Sequence, residues 1–561
     1  MINWRIYQKL AYFQVFKILW LVFLVGALGS GGYYVQHNGG EDLALASTAL
    51  YGLSGLALID MVLLILKLIP KILNYVFIVM RPGTQKGSAG WASEEEIKDS
   101  GLFKRKRNFL IGLYKGKSIF APLETSGLVL SPSGGGKTSR FMVTNLCSNP
   151  ENMIVTDLKD NLEEMTARFR AKKFGHKIVT LDLTNSQRKN SKYKARYNLL
   201  QVLINDWQNP NLHSYLFSDA YEIAYILIEE ATHKSTNDFF PNASRKFFVF
   251  AVLFLLVTED TATLPAVLVL LSDMETLKAA VAQMKYSSIL NGDLARLASD
   301  LSTKINDAKA EQLESFREGM LQPLETFSPS SSLAGSICES DFSFTELRDK
   351  KMTVYIVPDP TRPKAFKKAV ELLTWSSFTE TMRQPKGRKI VYMLDEAGNV
   401  KLPNLPVYQT LTREYNIALV IVLQALQQWS IYGGESAIEQ LLSQCEWSLI
   451  MGSPENWKTC LLISNQLGEA TEKQINHSLG KTILDPITAS VADVPRKLMT
   501  PEEIRRNKDI VFMRRGERPI SIDPLGYNNI APMKWQVGVN PYFERPYRGK
   551  TYLWLISWPW L

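Results

Sequence analysis

Two long apolar stretches stand at the start of the chain, before any pattern typical of a soluble domain. The first, from Ile18 to Gln36, is uncharged for about 19 residues, close to the length that an α-helix needs to cross a bilayer. The second runs from Leu43 to Leu66 and carries a single acid, Asp60. Only His37 to Asp42 separates the two stretches. The pattern predicts a hairpin of two membrane-spanning helices, at about residues 18–36 and 43–66.

Basic residues flank this predicted hairpin on both sides. Three precede it and three follow it: Arg5, Lys9 and Lys17, then Lys67, Lys71 and Arg81. Loops rich in lysine and arginine stay on the cytoplasmic side of a membrane. The sequence therefore predicts a multi-pass protein of the bacterial inner membrane, with the bulk of the chain in the cytoplasm. The alternative is a cleaved signal peptide, because Ala27, Gly29 and Ser30 imitate a cleavage site, but the second span would still anchor the chain.

The anchor is expected to end near residue 83. Leu68 to Met80 continues the apolar pattern, as in a helix that emerges through the interface, and Arg81-Pro82-Gly83 ends it. We therefore assign residues 1–83 to the anchor and begin the soluble region at about residue 84. Asp60 has two interpretations, since an intramembrane acid is either functional or simply lies near a helix–helix contact.

A phosphate-binding loop is indicated after the apolar strand Gly127–Leu130. Ser131 to Arg140 reads SPSGGGKTSR, and an apolar-periodic helix starts at Phe141. Consecutive glycines let the backbone curl until its N–H groups face phosphate oxygens, at the positive end of the following helix. The segment matches the P-loop pattern G-x-x-x-x-G-K-[ST], except that Ser131 replaces the first glycine.

This loop defines the expected nucleotide site. Seven consecutive residues would hold ATP: Ser133, Gly134, Gly135, Gly136, Lys137, Thr138 and Ser139. Lys137 would reach the β- and γ-phosphates, and the Thr138 hydroxyl would bind Mg²⁺. A chance Gly-Lys-Thr in a turn is the alternative, and the order of strand, glycine loop and helix weighs against it.

Two acids follow another apolar strand. Lys389 to Leu394 runs directly into Asp395 and Glu396, which is the Walker B arrangement. Asp395 would join the Mg²⁺ shell and Glu396 would orient the attacking water. A strand that ends in Asp-Glu is often only structural, but these two acids are the best partner for the P-loop in the chain.

A third apolar strand, Ile417 to Leu423, ends at Gln424. A polar amide at the carboxyl end of a central strand is placed to sense the γ-phosphate. Arg413 precedes this strand, and we consider it both as an arginine finger for a neighbouring subunit and as a solvated loop charge. The expected catalytic residues are Lys137, Asp395, Glu396, Arg413 and Gln424.

A helical pattern separates the P-loop from the Walker B strand. It runs from Leu212 to Phe327, and the strand pattern resumes at Thr353 to Val357. We predict a nucleotide-binding α/β domain made of residues 84–211 and 330–530, an all-α insertion at 212–329 and an aromatic tail at 531–561. The tail could pack on the chain's own core, dock onto a partner or lie in the bilayer interface.

The composition narrows the possible classes of protein but does not identify a function. The chain is 46% hydrophobic and 21% charged, with a net charge of +9 that permits an anionic partner without requiring one. Its four cysteines form no C-x-x-C pair, so neither a disulfide framework nor a zinc site is indicated. The basic runs Lys104–Arg107 and Arg188–Arg196 are interpreted as contacts to phosphate or acidic lipid, or as solvated loops. The first run is close to the anchor, which favours lipid.

Further blocks, in the same order, resemble those of type IV coupling proteins of the TraG/TraD kind. The blocks are GSAGWA at Gly87–Ala92, NMIVTDLKD at Asn152–Asp160, YNLL at Tyr197–Leu200, SDF at Ser340–Phe342, Gln424 with Gln427–Gly433, and MTPEEI at Met499–Ile504. This ordered set spans about residues 84–530 and is more specific than a P-loop alone. Leu158, Asp160 and Asn161 depart from the family's D-P-K-G-E, and the loop between the two spans is shorter than in many members.

The resemblance implies a RecA-like P-loop ATPase domain with an inserted all-α domain and an N-terminal two-helix transmembrane anchor. It also implies a homo-hexameric ring that hydrolyses ATP with Mg²⁺. The ring would recruit relaxase-bound single-stranded DNA, protein effectors or both, and drive them to a type IV secretion channel. Two alternatives stay open: another membrane-linked RecA-type motor, and a nucleotide-binding docking platform with little turnover.

Overall fold

The chain forms two units, each built from segments that are distant in sequence. The computed structural model describes residues 4–39, 43–80, 87–159, 161–183, 192–228, 239–307, 310–359, 361–478 and 488–540. The anchor unit joins Met1–Ala89 with Gly468–Lys497, and the sheet unit joins Gly90–Leu467 with Leu498–Leu561.

The helices and strands are numbered in chain order. The helices are α1 Trp4–Asn38, α2 Ala44–Met80, α3 Glu94–Asp99, α4 Val143–Ser148, α5 Leu162–Phe169, α6 Gln201–Gln208, α7 His213–Leu227, α8 Phe239–Glu259, α9 Leu264–Ser272, α10 Met274–Met284, α11 Asp293–Asp307, α12 Ala310–Leu324, α13 Ala334–Ile337, α14 Glu346–Asp349, α15 Pro363–Arg383, α16 Leu405–Leu411, α17 Gly434–Gln444, α18 Trp457–Leu467, α19 Pro501–Arg506 and α20 Ala531–Gln536. The strands are β1 Phe109–Tyr114, β2 Lys117–Ala121, β3 Gly127–Leu130, β4 Asn152–Thr156, β5 Lys177–Asp182, β6 Met352–Val357, β7 Ile390–Leu394, β8 Ile417–Leu423, β9 Trp447–Ile450, β10 Glu469–Ser478, β11 Thr488–Lys497, β12 Ile510–Arg514 and β13 Ile520–Ile522. Wide helical turns cover Lys137–Met142 and Arg170–Phe174, and short 3₁₀ turns cover Pro210–Leu212, Ile289–Gly292, Glu325–Phe327, Leu426–Tyr432 and Tyr527–Asn529.

The helices α1 and α2 pack side by side in the anchor unit. The hydroxyl of Ser54 on α2 donates a hydrogen bond to the carbonyl of Val25 on α1, over 3.1 Å. A Cβ at Gly32 would lie only 3.3 Å from the ring of Tyr51, so the small residue allows the close approach that apolar helices use in membranes. Asp60 is exposed on α2.

Among the described residues, three helical stretches are long and apolar enough to cross a membrane. Leu19–Asn38 and Ala44–Leu63 lie in α1 and α2, so the two predicted apolar helices are present. The third stretch, Pro241–Glu259, lies in α8 and is largely buried among other helices of the sheet unit. Burial inside a domain accounts for the apolar character of this third helix.

A two-stranded ribbon, which the sequence did not predict, also belongs to the anchor unit. The strands β10 and β11 pair antiparallel along their whole length, from Glu469 opposite Lys497 to Ser478 opposite Thr488. Ser88 pairs with Ala470. This pairing groups the ribbon with the segment that follows α2, although the predicted α/β domain of residues 330–530 includes it.

The sheet unit contains a nine-stranded sheet in the order β13-β12-β9-β3-β8-β7-β4-β6-β5. The strands from β9 to β5 are parallel, and β12 and β13 add antiparallel strands at one side. Every residue of β7 and β8 is buried, as is typical of parallel strands covered by helices on both faces. The near-continuous apolar runs of the sequence therefore form the centre of the sheet.

The helical insertion lies between two strands that are neighbours in the sheet. The strands β5 and β6 pair in parallel, yet α6 to α14 separate them in the chain. Parallel neighbours need a crossover connection. Here the crossover is a set of helices that bury apolar residues, among them Phe248, Leu256 and Leu301. The predicted all-α insertion is present in the fold.

A buried charge cluster ties the first of these helices to α15. Arg383 of α15 pairs with Asp206 of α6 at 2.8 Å and also with Asp219 of α7. Asp206 is fully buried. Burial raises the pKa of Asp206 from 3.8 to about 7, because it outweighs the attraction of Arg383, and the neighbouring Asp219 raises the pKa further.

We expect Asp206→Asn to change the pH dependence of stability. The folded-state pKa of Asp206 lies above its unfolded value, so its contribution is present at low pH and is lost as pH rises to about 7. Relative to wild type, the free energy of unfolding of the variant should therefore rise by roughly 1 kcal/mol per pH unit between about pH 5 and pH 7. Chemical denaturation of the full chain in detergent measures it. The exposed control Asp509→Asn should show no such trend. Parallel pH curves for wild type and Asp206→Asn would contradict the assignment.

Candidate functional site

Four neighbouring strands end at one edge of the sheet. The strands β3, β8, β7 and β4 lie side by side and run parallel, so their carboxyl ends meet. The chain leaves β3 into the glycine loop, β7 into Asp395 and β8 into Gln424. The crevice at the carboxyl ends of parallel strands is where α/β sheets bind ligands. The structure thus brings three predicted motifs to the same edge.

The glycine loop turns sharply between β3 and the following helix. Gly136 has a φ of +92°, a left-handed conformation that favours glycine. A Cβ at Gly135 would lie 2.5 Å from the Oγ of Ser131, so the chain must be bare at this point. The backbone N–H of Ser131 donates to the carbonyl of Leu423, which joins the start of the loop to the end of β8. Ser131 thus fits the place of the first glycine of the pattern.

Lys137 opens the wide turn Lys137–Met142, which continues into α4. Thr138 and Ser139 follow it and are half-buried. The backbone N–H groups of a helix start have no partners within the helix and favour an anion. The structure therefore places the predicted Lys-Thr-Ser segment at a helix N-terminus beside the loop.

Two lysines and two acids form a cluster at the centre of the edge, and all of them except Lys159 are buried. The Nζ of Lys137 lies 2.6 Å from Glu396 Oε1 and 3.2 Å from Asp395 Oδ1. Lys159, which follows β4, brings a second ammonium to 2.6 Å from the same Glu396 oxygen. Lys137, Asp395 and Glu396 are each less than 5% exposed. Opposite charges at this depth attract strongly, so the cluster fixes its members relative to one another.

The two acids have opposite pKa shifts. Burial raises the pKa of Asp395, against the attraction of Lys137. Burial acts in the same direction on Glu396, but hydrogen bonds from Lys137 and Lys159 outweigh it and lower the pKa to about 2. The Glu396 carboxylate is therefore ionised at neutral pH, as a group that attracts the proton of a water must be.

Glu396 is held on its second oxygen by a chain of amides. Its φ is +55°, an unusual conformation for a residue with a side chain. The Asn399 amide donates to Glu396 Oε2 over 2.5 Å, and the Gln428 amide donates to Asn399 Oδ1 over 3.1 Å. The side-chain oxygen Oε1 of Gln428 accepts from the backbone N–H of Gln424 over 2.7 Å. Hydrogen bonds thus connect Glu396 to the end of β8.

Gln424 contacts the glycine loop directly. The hydroxyl of Ser133 donates to Gln424 Oε1 over 3.2 Å. The side chain therefore reaches the loop, while the backbone N–H of the same residue joins the amide chain that leads to Glu396.

Arg413 lies elsewhere. It is exposed in the turn that leads into β8, at the amino end of that strand, whereas the glycine loop is at the carboxyl end of the neighbouring β3. The structure does not bring Arg413 into the cluster of its own subunit. Its assignment as an arginine finger toward a neighbouring subunit stays a prediction.

Sequence patterns missed three residues of the site, namely Lys159 of the cluster and the amides of Asn399 and Gln428 beside it. Lys159 falls in the NMIVTDLKD block, at the position of the lysine in the family's D-P-K-G-E segment. That match was the signal that could have identified it. Asp157 of the same block accepts from the backbone N–H groups of Asn161 and Glu163 and so caps the start of α5. Asp160 lies outside the described residues.

We expect Gln428→Ala to lower the turnover number of ATP hydrolysis by roughly tenfold, because the residues that orient a reacting group carry effects of this size. Gln428 touches Asn399 and the backbone rather than the glycine loop, so the KM for ATP should change little. Steady-state phosphate release by the full chain in lipid nanodiscs measures both constants. The exposed Gln440→Ala on α17 serves as the control. A rise in KM with an unchanged turnover number would contradict the positioning role.

The fold and the site define a P-loop NTPase of the RecA-like class. The chain belongs to the type IV secretory system conjugative DNA transfer family, whose model matches residues 85–539. The resemblance to the TraG/TraD-type coupling proteins is thereby confirmed.

Two known relatives give the scale of the similarity. Protein VirD4 of Rhizobium radiobacter is 23% identical over 476 residues, and the match covers 82% of this chain and 66% of VirD4. The conjugal transfer protein TraG of Escherichia coli is 23% identical over 486 residues, covering 75% of this chain and 70% of TraG. The chain thus spans slightly less than two thirds of the first of these relatives.

Solved structures of the plasmid coupling protein TrwB have the same fold. TrwB in complex with ADP and Mg²⁺ has a TM-score of 0.55 at 14% identity, covering 78% of this chain and 93% of TrwB. The complex of TrwB with the ATP analogue ADPNP also has a TM-score of 0.55, at 15% identity. This likeness confirms the predicted fold class, a RecA-like P-loop domain with a helical insertion.

Proposed function

We propose that the chain is an ATP-hydrolysing coupling protein. It recruits relaxase-bound single-stranded DNA, protein substrates or both, and drives them to a type IV secretion channel. The observation that carries the proposal is the cluster of Lys137, Asp395, Glu396 and Lys159 beside the glycine loop, in a chain of the conjugative DNA transfer family.

The residues at the edge of the sheet fit a nucleotide with Mg²⁺. Asp395 Oδ1 is buried and has no hydrogen-bond partner, although Lys137 Nζ is near, so this oxygen is suited to a cation. Among the described residues no group of three or more His, Cys, Asp or Glu side chains could hold a metal ion. Asp395 and Thr138 would therefore hold Mg²⁺ together with phosphate oxygens of ATP. Bound there, Mg²⁺ would neutralise charge on the transferring phosphate. The complex of the similar TrwB with ADP and Mg²⁺ supports this cofactor set.

The protein side chains divide the remaining work. Lys137 leaves the two acids to bind the β- and γ-phosphates, and Lys159 stays to balance the charge of Glu396. Glu396 then orients the attacking water, with Asn399 holding its other oxygen. Residues 133–139 surround the phosphates. Gln424, at the end of β8, senses the γ-phosphate through its contact with the glycine loop.

Assembly and location belong to the same proposal. The subunits form a homo-hexamer, and Arg413, exposed on its own subunit, reaches the nucleotide of a neighbour. The two apolar helices hold the chain in the bacterial inner membrane as a multi-pass protein, with the sheet unit in the cytoplasm. This orientation follows from the basic residues on both sides of the hairpin.

Substrate-dependent turnover tests the proposal. The full chain in lipid nanodiscs should release phosphate from ATP, and single-stranded DNA or a bound relaxase should accelerate that release. Binding of ATP without release, under all these conditions, would favour a docking platform instead. Release that responds only to double-stranded DNA would favour another membrane-linked RecA-type motor.

A further inference from the structure

Basic residues collect at the edge of the sheet opposite the nucleotide site. The strands β8, β7, β4, β6 and β5 are parallel neighbours, so the loops that precede them share one edge. These loops and the run Lys104–Arg107 carry exposed lysines that form no ion pair among the described residues: Lys104, Lys106, Lys172, Lys173, Lys351 and Lys386. We name these six the basic edge.

Hydrogen bonds join the loops of the basic edge into one surface. The Asn149 amide, before β4, donates to the carbonyl of Arg107. The backbone N–H of Lys177, at the start of β5, donates to the carbonyl of Lys351. The Arg388 side chain, before β7, donates to the carbonyl of Asp349 before β6. The loops that carry the lysines are therefore joined to one another through their backbones.

The acids of the same loops do not neutralise this edge. Glu151 is buried and already paired with Arg107 at 2.7 Å. Glu346 already holds both Lys177 and Lys350. Asp349 and Glu414 are the exposed acids among these loops, against the six lysines of the basic edge. The surface therefore keeps a net positive charge.

The chain enters the sheet unit along this same edge. The backbone N–H of Ala92 donates to the carbonyl of Pro519, in the turn beyond β12. Arg514, which pairs with Trp447 at the amino start of β9, donates to the carbonyl of Ser100. From there the chain reaches Arg107 beside Asn149. The segment that comes from the anchor therefore runs across the basic edge.

We propose that the basic edge binds the anionic headgroups of the membrane in which the chain is anchored. The run Lys104–Arg107 begins 24 residues after α2 ends at Met80, so this part of the basic edge is close in sequence to the anchor. Clustered lysines close to an anchor bind acidic lipid, each adding roughly a fivefold gain in binding. The proposal rests on the membrane anchor and not on hydrolysis. It extends the lipid interpretation of residues 104–107 to the three loops before β5, β6 and β7.

Lysine acetylation, read by mass spectrometry, tests this surface on the full chain without ATP. The chain is placed in nanodiscs of phosphatidylcholine alone or of phosphatidylcholine mixed with phosphatidylglycerol, and co-elution with the discs checks the anchor first. Acetylation of the basic edge should be about fivefold slower in the anionic discs. The difference should vanish in molar salt, where the Debye length is only about 3 Å. Lys285, exposed at the end of α10, should react alike in both discs.

A charge-removed variant separates cooperation from local effects. Lys104→Gln, Lys106→Gln, Lys172→Gln and Lys173→Gln combined should remove most of the lipid protection of Lys351 and Lys386. The control pair Lys278→Gln and Lys285→Gln, on the helical insertion, should leave that protection intact. Equal acetylation in the two discs would overturn the proposal. Protection by single-stranded DNA in neutral discs, without protection by anionic lipid, would also overturn it and assign the edge to nucleic acid.

Discussion

The substitution Glu396→Gln is expected to leave ATP binding almost unchanged while it lowers the rate of hydrolysis by roughly 100- to 10,000-fold, the range attributed to a positioned base. Glutamine has nearly the same shape, and its single amide oxygen, in the place of Oε1, can still accept from Lys159. It lacks the charge that attracts the proton of the attacking water. The pKa of Glu396, lowered to about 2, keeps that charge in place throughout the working pH range of the wild-type chain.

A fluorescent nucleotide titration and a phosphate-release assay, both on the full chain in nanodiscs, measure the two effects separately. Glu435→Gln is the matched control, since Glu435 is an exposed acid whose ion pair, among the described residues, is with Lys458. Its hydrolysis rate should equal that of wild type. If Glu396→Gln hydrolysed ATP at a rate close to wild type, Glu396 would not be the residue that orients the water.

Lys137→Ala is expected to weaken ATP binding and to lower the rate of ATP hydrolysis. Loss of the ammonium removes the phosphate contact, and loss of one preorganised donor lowers a rate by roughly 100- to 1,000-fold. It also leaves Asp395 and Glu396 with Lys159 as their remaining close cation in the cluster. Two buried carboxylates with less counter-charge destabilise the folded state, so the free energy of unfolding should fall at neutral pH.

Lys159→Ala provides the comparison for Lys137→Ala, because it removes a cation from the same Glu396 oxygen without touching the glycine loop. ATP binding should survive in Lys159→Ala and be lost in Lys137→Ala. Nucleotide titration distinguishes the two, and chemical denaturation shows whether either variant is unfolded. Equal loss of ATP binding in both folded variants would mean that the cluster, rather than Lys137 itself, binds the phosphates.

Local patterns were sufficient for the elements whose causes are local. The apolar runs in α1 and α2, the strands β7 and β8, and the glycine loop each depend on residues within a short window. The order of strand, glycine loop and helix at Ser131 to Phe141 requires no knowledge of the rest of the chain. These parts of the fold were therefore predictable.

Contacts between distant residues were not predictable in the same way. Lys159 and Glu396 meet only because β4 and β7 are neighbours in the sheet, and no periodicity reports that pairing. The ribbon of β10 and β11 is polar, so its strands produce no apolar run in the sequence. It also pairs with a segment far away in sequence, and no local pattern indicates that pairing. Arg413 is the opposite case. Its position before β8 in the sequence suggested an arginine finger, but the structure places it at the edge of the sheet away from the nucleotide site of its own subunit.

The most direct test of the central claim is transfer of plasmid DNA or effector protein by cells in which the gene carries Lys137→Ala. The amount of the variant in the membrane is measured first. It should equal that of wild type, because the substitution leaves α1 and α2 unchanged. The proposed motor predicts that transfer is lost at normal abundance. Undiminished transfer would contradict an ATP-driven coupling protein and favour a docking platform.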